Sequence, residues 1–204
     1  PPQSQAFRLV GVNCFTSKAP ITHAAADLPP LAEFMAAHAD KTSQWFIVVF
    51  NLPGKPIHNV VYLFARQLPV GEDPAFDRLL ERYLAGDDAF KNTRFKLLAK
   101  MEKAPWVLGA AVNKLGIERP AIIGKKLTIQ HHVGARYFEA DVDVGSSKIA
   151  SAIHGLILRG CASIVVITAF TLEGQAEDEL PERIMGNVRF RQIPISKFVI
   201  ETDA

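Results

Sequence analysis

The chain has 204 residues and a mean hydropathy of +0.11; 49% of its residues are apolar, 22% are charged, and its net charge is +2. This composition is typical of one folded globular domain and excludes a disordered tail, while two cysteines exclude a disulfide framework and a cysteine-rich zinc module. The longest apolar runs, 45–50 and 162–170, are far shorter than the roughly 20 residues of a membrane-spanning helix.

Residues 1–44 differ from the rest of the chain. They contain five of the thirteen prolines and little periodicity beyond a candidate helix at 31–39. We therefore predict an N-terminal arm at 1–44 that wraps around a core at 45–204. Because the sequence contains no internal repeat, low-complexity tract or Gly/Ser linker, residues 1–204 are predicted to form a single domain.

Two predicted strands and a helix follow the arm. The apolar run 45–52 and the segment 60–67 predict an antiparallel hairpin. The helix after it is the clearest in the sequence, because Asp73 is a suitable N-cap, Pro74 occupies the first turn and Gly86 ends the pattern.

The remaining sequence contains more strands than helices. A second helix is predicted to open at 145–147 and to end at Gly160. Further strands are predicted at 94–103, 106–112, 126–132, 138–144, 162–172 and 188–193. We therefore expect an α+β fold, in which a few helices pack on a predominantly antiparallel, curved sheet. A START-like or partial-barrel layout is compatible with this pattern.

Four segments of the sequence resemble signature segments of a known family. They are GDDAFKNTRFKLL at 86–98, APW at 104–106, RYFEADVDVGSS at 136–147 and ELPERIMGNVR at 179–189. They are similar, in this order, to the C-terminal domain of the plant "enhanced disease resistance 2" proteins, and the resemblance covers about residues 45–193. In those proteins the domain follows a pleckstrin-homology and a START lipid-binding domain, and the proteins act at membranes as negative regulators of cell death and defence. The resemblance implies a lipid-associated context and no set of catalytic residues.

The aromatic strand residues are the first candidate site. The chain contains thirteen Phe, and a curved sheet closed by a helix can leave an apolar cavity for a lipid-like ligand. Alternation along the strands predicts a wall of six aromatic residues, which two residues of the second helix close. These residues are Phe46, Phe50, Tyr62, Phe64, Trp106 and Phe138, with Ile153 and Leu156. The alternative is an ordinary filled core.

The basic residues are the second candidate site. Residues 91–126 contain nine basic and two acidic side chains, a net charge of +7, which leaves −5 for the rest of the chain. Anionic lipid headgroups could bind exposed bases of this segment. The candidates are Arg94, Lys96 and Lys100 on one strand face, and Lys125 and Lys126 at the start of another strand. The alternative is cross-strand pairing with Glu139, Asp141 and Asp143, which share a face of the strand at 138–144.

The third candidate site lies at the predicted strand-to-helix junction. Ser146 and Ser147 follow Gly145 there, and exposed amides and hydroxyls at a helix N-terminus can bind a phosphate or carboxylate. The alternative is that Ser146 is simply the helix N-cap.

The sequence shows no arrangement typical of catalysis or of metal binding. Ser147 and His154 share a helix face but are roughly 10.5 Å apart, and His131 and His132 point to opposite faces of a strand. We predict neither enzymatic activity nor a cofactor or metal.

The leading prediction is a cytoplasmic domain that binds a lipid or isoprenoid-like ligand and contacts membranes peripherally through its basic segment. Its sparse cysteines fit a reducing compartment. The alternative is a module without a cavity that recognises an anionic membrane or a partner protein by surface charge. Nucleic acid is not a predicted partner, because the pI of about 8.7 is modest and no recognition motif is present.

Overall fold

The computed structural model describes residues 5–106, 109–110, 118–192 and 200–201. The helices in these ranges are α1 (Ala24–Asp27), α2 (Pro29–Ala37), α3 (Pro74–Ala85), α4 (Asp88–Asn92) and α5 (Lys148–Gly160). The strands are β1 (Phe7–Ser17), β2 (Trp45–Leu52), β3 (Ile57–Arg66), β4 (Phe95–Lys103), β5 (Ala121–Ile122), β6 (Thr128–Val133), β7 (Tyr137–Asp143), β8 (Val165–Leu172), β9 (Ile184–Arg191) and β10 (Ile200–Glu201).

The described strands form two sheets. Sheet A contains six strands in the order β10-β1-β3-β2-β7-β6, and sheet B contains four in the order β5-β4-β8-β9. Neighbouring strands are antiparallel except in the pairs β1–β10 and β2–β7. The predicted α+β fold with mostly antiparallel strands is confirmed, but the strands divide into two sheets that do not close into a barrel within the described residues. Each sheet buries its apolar inner face against the other.

The hairpin of β2 and β3 provides the centre of sheet A. Its register pairs Phe46 with Phe64 and Val48 with Tyr62, so that these side chains share the inner face. Phe46 also lies near Phe170 of sheet B, with 5.8 Å between the ring centroids. Phe46, Phe64 and Phe170 are fully buried. Each buried Phe contributes about 1.5–3 kcal/mol to the free energy of unfolding, so these rings are a large part of what joins the two sheets.

Helix α3 closes one end of the core. Its boundaries agree with the sequence prediction, because the Asp73 side chain accepts a hydrogen bond from the Phe76 amide at 3.1 Å and Gly86 is the C-cap. The apolar residues on one face of the helix pack against the inner face of the sheets. They are Phe76, Leu79, Leu80 and Tyr83, each about 2% exposed.

The first 44 residues contribute both to sheet A and to its outer face. Strand β1 pairs with β3 over ten positions, which the sequence analysis did not predict. The register shifts between Leu9 and Gly11, and such a bulge interrupts the alternation by which a strand is recognised. Residues of α1 and α2 pack on the opposite face of sheet A from sheet B, in a second apolar cluster with Trp45, Ile47 and Val49.

The strand predicted at 106–112 is not present in the described residues. Trp106, Gly109 and Ala110 have helical backbone, and the Gly109 amide donates to the Pro105 carbonyl at 2.9 Å. Residues 107, 108, 111 and 112 lie outside the described residues. A short apolar run does not distinguish a strand from a helix, and Pro105 favours a helical first turn. The other predicted strands correspond to β4, β6, β7, β8 and β9, although residue 193 of the last one is also outside the described residues.

Candidate ligand-binding site

The side chains on the inner face of sheet A become less buried toward one end of the β2–β3 hairpin. Phe46 and Phe64 are fully buried beneath sheet B, and Phe138 is 2% exposed. Further along the same hairpin, Phe50 and its partner Val60 are only half-buried, although both pack against the same core cluster. Apolar side chains at this end of the inner face therefore keep part of their surface uncovered.

Five of the eight predicted cavity residues lie together in this core. Three of them, Phe46, Phe64 and Phe138, pack ring against ring, with 4.8 Å between the centroids of Phe46 and Phe138 and 5.3 Å between those of Phe46 and Phe64. Such spacing is typical of a filled aromatic core. Phe50 and Tyr62, whose centroids are 5.7 Å apart, extend the same cluster toward its half-buried end.

The other three predicted cavity residues do not join this cluster in the described structure. Trp106 is 84% exposed and lies in the helical turn after β4, so the prediction that it lines a wall with the other rings is wrong. The prediction assumed a strand at this position, and the helical backbone changes the direction of its side chain. Ile153 and Leu156 belong to α5, but their side chains lie outside the described residues.

We define the open end of sheet A by five inner-face residues, which are Cys14, Phe50, Leu52, His58 and Val60. The register pairs Leu52 with His58 and Cys14 with Val60, and directly paired residues point to the same side of a sheet. Burial raises the pKa of the Cys14 thiol, which therefore stays protonated at neutral pH. The open end thus combines apolar surface with the imidazole of His58.

Helix α5 brings a second imidazole to the open end. Ala150 of α5 packs against the core, and His154, one turn later on the same side of the helix, is 7% exposed. Burial, followed by the nearby charge that a protonated His58 would carry, lowers the pKa of His154 to about 4. The turn before α5 lies against the end of the β2–β3 hairpin, because a Cβ added at Gly145 would lie 3.6 Å from Pro53 Cβ. The two imidazoles therefore belong to the same end of sheet A. His58 Nδ1 and His154 Nε2 are buried and have no hydrogen-bond partner in the described residues.

This pair of histidines is not evident from the local sequence pattern. From the sequence, His154 is a candidate only as a partner of Ser147. The available signal was His58 itself, since it occupies an inner position in the alternation that continues with Val60, Tyr62 and Phe64. A polar side chain on an otherwise apolar strand face is an informative exception.

A separate surface pocket lies at the other end of the β2–β3 hairpin, against α3. Its volume is about 230 Å³, and Gln44, Leu80 and Leu84 are among its lining residues. Its buried charges, Arg66 and Asp77, pair with each other. These two charges are therefore satisfied by partners within the chain, in contrast to the two imidazoles of the open end.

The two serines at the start of α5 also have partners within the chain. Ser146 Oγ donates to the Asp143 carbonyl at 2.6 Å and accepts from the Thr128 amide at 2.9 Å. Ser147 Oγ accepts from the Ala150 amide at 3.4 Å, which is the contact of an N-cap. The helix cap is therefore Ser147, whereas the sequence analysis considered Ser146 for this role.

The five predicted anion-binding bases do not form one surface. Arg94 is 6% exposed and its guanidinium donates to Glu179 Oε2 at 2.7 Å, while Lys96 donates to the Glu182 carboxylate at 2.6 Å. Their partners come from the acidic segment at 173–182 and not from β7, as the pairing alternative expected, because this segment follows β8, the neighbour of β4. Arg94 and Lys96 are therefore unavailable for a headgroup.

The remaining three bases are exposed but lie at different ends of β4. Lys100 lies near the C-terminal end of this strand. The register of β5 against β4 pairs Ile122 with Lys96, and Gly124 lies against Asn92 just before β4. Lys125 and Lys126 therefore lie near the start of the strand, at a distance from Lys100.

A buried pair of carboxylates on the outer face of sheet A is a second polar cluster. Glu139 and Asp141 of β7 are 2% and 3% exposed. The Ala25 amide donates to Glu139 Oε2 at 2.9 Å, the Ala24 amide donates to the other oxygen, and the His23 amide donates to Asp141 Oδ2 at 2.7 Å. The alternation of the sequence predicts that these acids share a strand face, but it does not predict that α1 covers them.

Aromatic side chains surround the two carboxylates. His23 Nε2 lies 2.6 Å from the Tyr137 hydroxyl, and the rings of His23 and His132 stack with 4.1 Å between centroids. His132 Nε2 lies 3.0 Å from Asp141 Oδ2. Burial, together with the neighbouring Asp141, raises the pKa of Glu139 to about 8. The arrangement attaches α1 to sheet A and makes this attachment sensitive to protonation.

The described residues contain no cluster of three or more His, Cys, Asp or Glu side chains that could hold a metal ion. In the same residues, no helix is long and apolar enough to span a bilayer.

Comparison with known proteins agrees with the resemblance noted in the sequence. The model of the family "Protein ENHANCED DISEASE RESISTANCE 2, C-terminal" matches residues 1–194. The chain is 32% identical over 155 residues to the Arabidopsis thaliana "Protein ENHANCED DISEASE RESISTANCE 2-like", an alignment that covers 76% of this chain and 20% of that relative. The chain thus spans about a fifth of the length of this relative. No solved structure matches it. The chain therefore belongs to the family of ENHANCED DISEASE RESISTANCE 2 C-terminal domains.

Proposed function

We propose that this domain binds a hydrophobic ligand, such as a lipid or an isoprenoid, at the open end of sheet A beneath α5, without catalysing a reaction. The observation that carries the proposal is the change in burial along one strand face, from fully buried Phe46 and Phe64 to half-buried Phe50 and Val60. Apolar groups that a domain leaves partly uncovered next to a helix are typical of a ligand site.

The proposal places the ligand in only part of the region that the sequence indicated. At Phe46, Phe64 and Phe138 the rings already occupy the space between the sheets. A ligand would instead contact Phe50, Val60 and Leu52, with α5 above it.

We also propose that the protein, in the cytoplasm, contacts anionic membranes through the end of β4. Lys100, Lys103 and Trp106 follow one another there and all three are exposed, the last by 84%. Lysines near a surface of anionic lipids each contribute about 1 kcal/mol to binding, and Trp prefers the headgroup level. The START domain that precedes this family's domain in the plant proteins fits such a lipid-associated role.

Ligand uptake by the purified full chain tests the first proposal. Native mass spectrometry and organic extraction should detect a co-purifying apolar compound or saturable uptake of added fatty acids, sterols or isoprenoids. Val60→Trp should reduce this uptake because it fills the open end. Val70→Trp, at a position that is 68% exposed on another surface, is the matched control. Neither co-purification nor uptake by the folded chain would refute the proposal.

A module without a cavity that recognises anionic surfaces by charge is the second candidate function. Its support is the exposure of Lys100, Lys125 and Lys126. Flotation with phosphatidylcholine–phosphatidylserine vesicles tests whether the lysines at the C-terminal end of β4 bind the membrane. If Lys100→Glu with Lys103→Glu abolishes flotation but leaves ligand uptake intact, both proposals hold. If flotation occurs and no ligand binds, the second candidate is correct. Arg94 and Lys96 are unsuitable for charge reversal because they form internal ion pairs.

A further inference from the structure

Two histidines at the open end have buried polar atoms that no group in the described part of the chain satisfies. They are His58 Nδ1 and His154 Nε2. A buried polar atom without a partner destabilises the fold unless something else supplies the hydrogen bond. We therefore expect a group outside the described residues to supply these hydrogen bonds.

Both rings lie at the border of the apolar surface that the proposed ligand would contact. His58 is paired with Leu52 in the β2–β3 register, one inner position beyond Val60. His154 lies on the same side of α5 as Ala150, which packs against the core, and is 7% exposed. A ligand with its chain against Phe50 and Val60 would bring its end to these imidazoles.

The electrostatic surroundings of the two imidazoles determine which polar group of a ligand they can bind. Burial and His58 lower the pKa of His154, and no acidic, Lys or Arg side chain of the described residues is among the groups that act on it. His154 is thus neutral at pH 7, with one ring nitrogen as donor and the other as acceptor. A carboxylate or phosphate would be a buried charge without a counter-charge, which is unfavourable. A hydroxyl group, which can both donate and accept, fits neutral His154 and the unpartnered nitrogen of His58.

We propose that His58 and His154 bind the single hydroxyl group of a neutral lipid, such as a sterol or a long-chain isoprenoid alcohol, whose apolar body lies on the open end. This inference rests on the proposed function, because it specifies the ligand class of the same site.

The test compares three probes that share a sixteen-carbon chain and differ at its end: 1-hexadecanol, palmitate and hexadecane. Binding to the purified full chain is measured by competition with tritiated 1-hexadecanol at pH 7.4. We expect 1-hexadecanol to bind about tenfold more tightly than hexadecane, the effect of roughly one neutral hydrogen bond, and also more tightly than palmitate. His154→Phe should remove this preference and leave hexadecane binding unchanged.

His38→Phe is the matched control, since this histidine lies at the C-terminal end of α2, where its ring stacks on Phe34 and its Nδ1 lies 2.8 Å from the Phe34 carbonyl oxygen. If His154→Phe does not fold, His58→Leu provides the same comparison, and the preference among the probes can be measured on the unaltered chain. Equal affinity for 1-hexadecanol and hexadecane, or a preference for palmitate, would overturn the inference while the proposed function stands. If none of the three probes nor any sterol binds, the proposed function itself fails.

Discussion

Arg94 and Glu179 are 85 positions apart in the sequence, yet their side chains form an ion pair of 2.7 Å inside the domain. Their side chains are 7% and 1% exposed. The same Glu179 oxygen accepts from the Gln175 amide at 2.7 Å, and Arg82 contacts the other oxygen. These donors and charges lower the pKa of Glu179, so that it remains ionised. The pair connects the start of β4 with the turn after β8.

Removal of this carboxylate should destabilise the fold strongly. Glu179→Ala leaves the Arg94 guanidinium buried without its counter-charge, a change that lowers the free energy of unfolding by about 3–5 kcal/mol. Urea denaturation followed by circular dichroism measures the effect. Glu177→Ala, at an exposed position of the same turn, is the control and should change stability by less than about 0.5 kcal/mol. Equal stability of the two variants would show that the pair contributes nothing.

The buried carboxylates beneath α1 predict how stability depends on pH. Burial and then Asp141 raise the pKa of Glu139 from 4.5 to about 8. Between these values the folded chain retains a proton that the unfolded chain has released, so the free energy of unfolding decreases as pH rises, by at most about 1.4 kcal/mol per pH unit. Asp141 acts in the same direction, since burial raises its pKa as well.

Glu139→Gln should weaken this pH dependence, because an amide remains neutral over the whole range. Chemical denaturation at several pH values from 5 to 8 measures the slope. Glu33→Gln, on the exposed side of α2, should retain the slope of the unaltered chain. A slope that is identical in all three proteins would indicate that Glu139 is already ionised at pH 5.

The burial gradient along β2 predicts unequal effects of two similar substitutions. Phe46→Ala removes a fully buried ring and should cost about 3–5 kcal/mol in the free energy of unfolding. Phe50→Ala should cost clearly less, because part of this ring is already exposed. Thermal and urea denaturation of both variants provide the comparison. Equal losses would mean that the two ends of the strand are equally filled.

Trp106 should report contact with a membrane by its fluorescence. The chain has two Trp, of which Trp45 is 4% exposed and Trp106 is 84% exposed. Vesicles that contain phosphatidylserine should shift the emission to shorter wavelength as the exposed indole enters the headgroup region. The shift should persist in Trp45→Phe and disappear in Trp106→Phe. A shift that depends on Trp45 instead would exclude contact through the end of β4.

Local sequence signals predicted the elements that depend on neighbouring residues. The N-cap Asp73 and Pro74 define the start of α3 and Gly86 defines its end. Alternation in 45–52 and 60–67 identified the faces of the hairpin that carry Phe46 and Phe64. Where a single residue interrupts the period, as at the bulge near Gly11 in β1, the same reasoning did not detect the strand.

The candidate sites depend on contacts between distant segments, which alternation does not specify. The pattern of β7 indicated that Glu139 and Asp141 share a face, but not that residues 23–25, more than 110 positions away, cover it. Similarly, the basic character of 94–103 was evident, whereas the internal pairing of Arg94 and Lys96 required the position of 173–182 beside β4. The number of basic residues in this segment is therefore larger than the number that is available at the surface to bind an anion.

The position of β1 determines which fragment of this protein can fold. Because β1 lies between β3 and β10, and the Ala6 amide donates to the Ile184 carbonyl of sheet B at 2.9 Å, a fragment that began at Trp45 would lose an interior strand. It would also present the unpaired edge of β3 to other molecules, an arrangement prone to aggregation. Recombinant expression of the domain should accordingly start upstream of Ala6, although the four signature segments all lie much later in the chain.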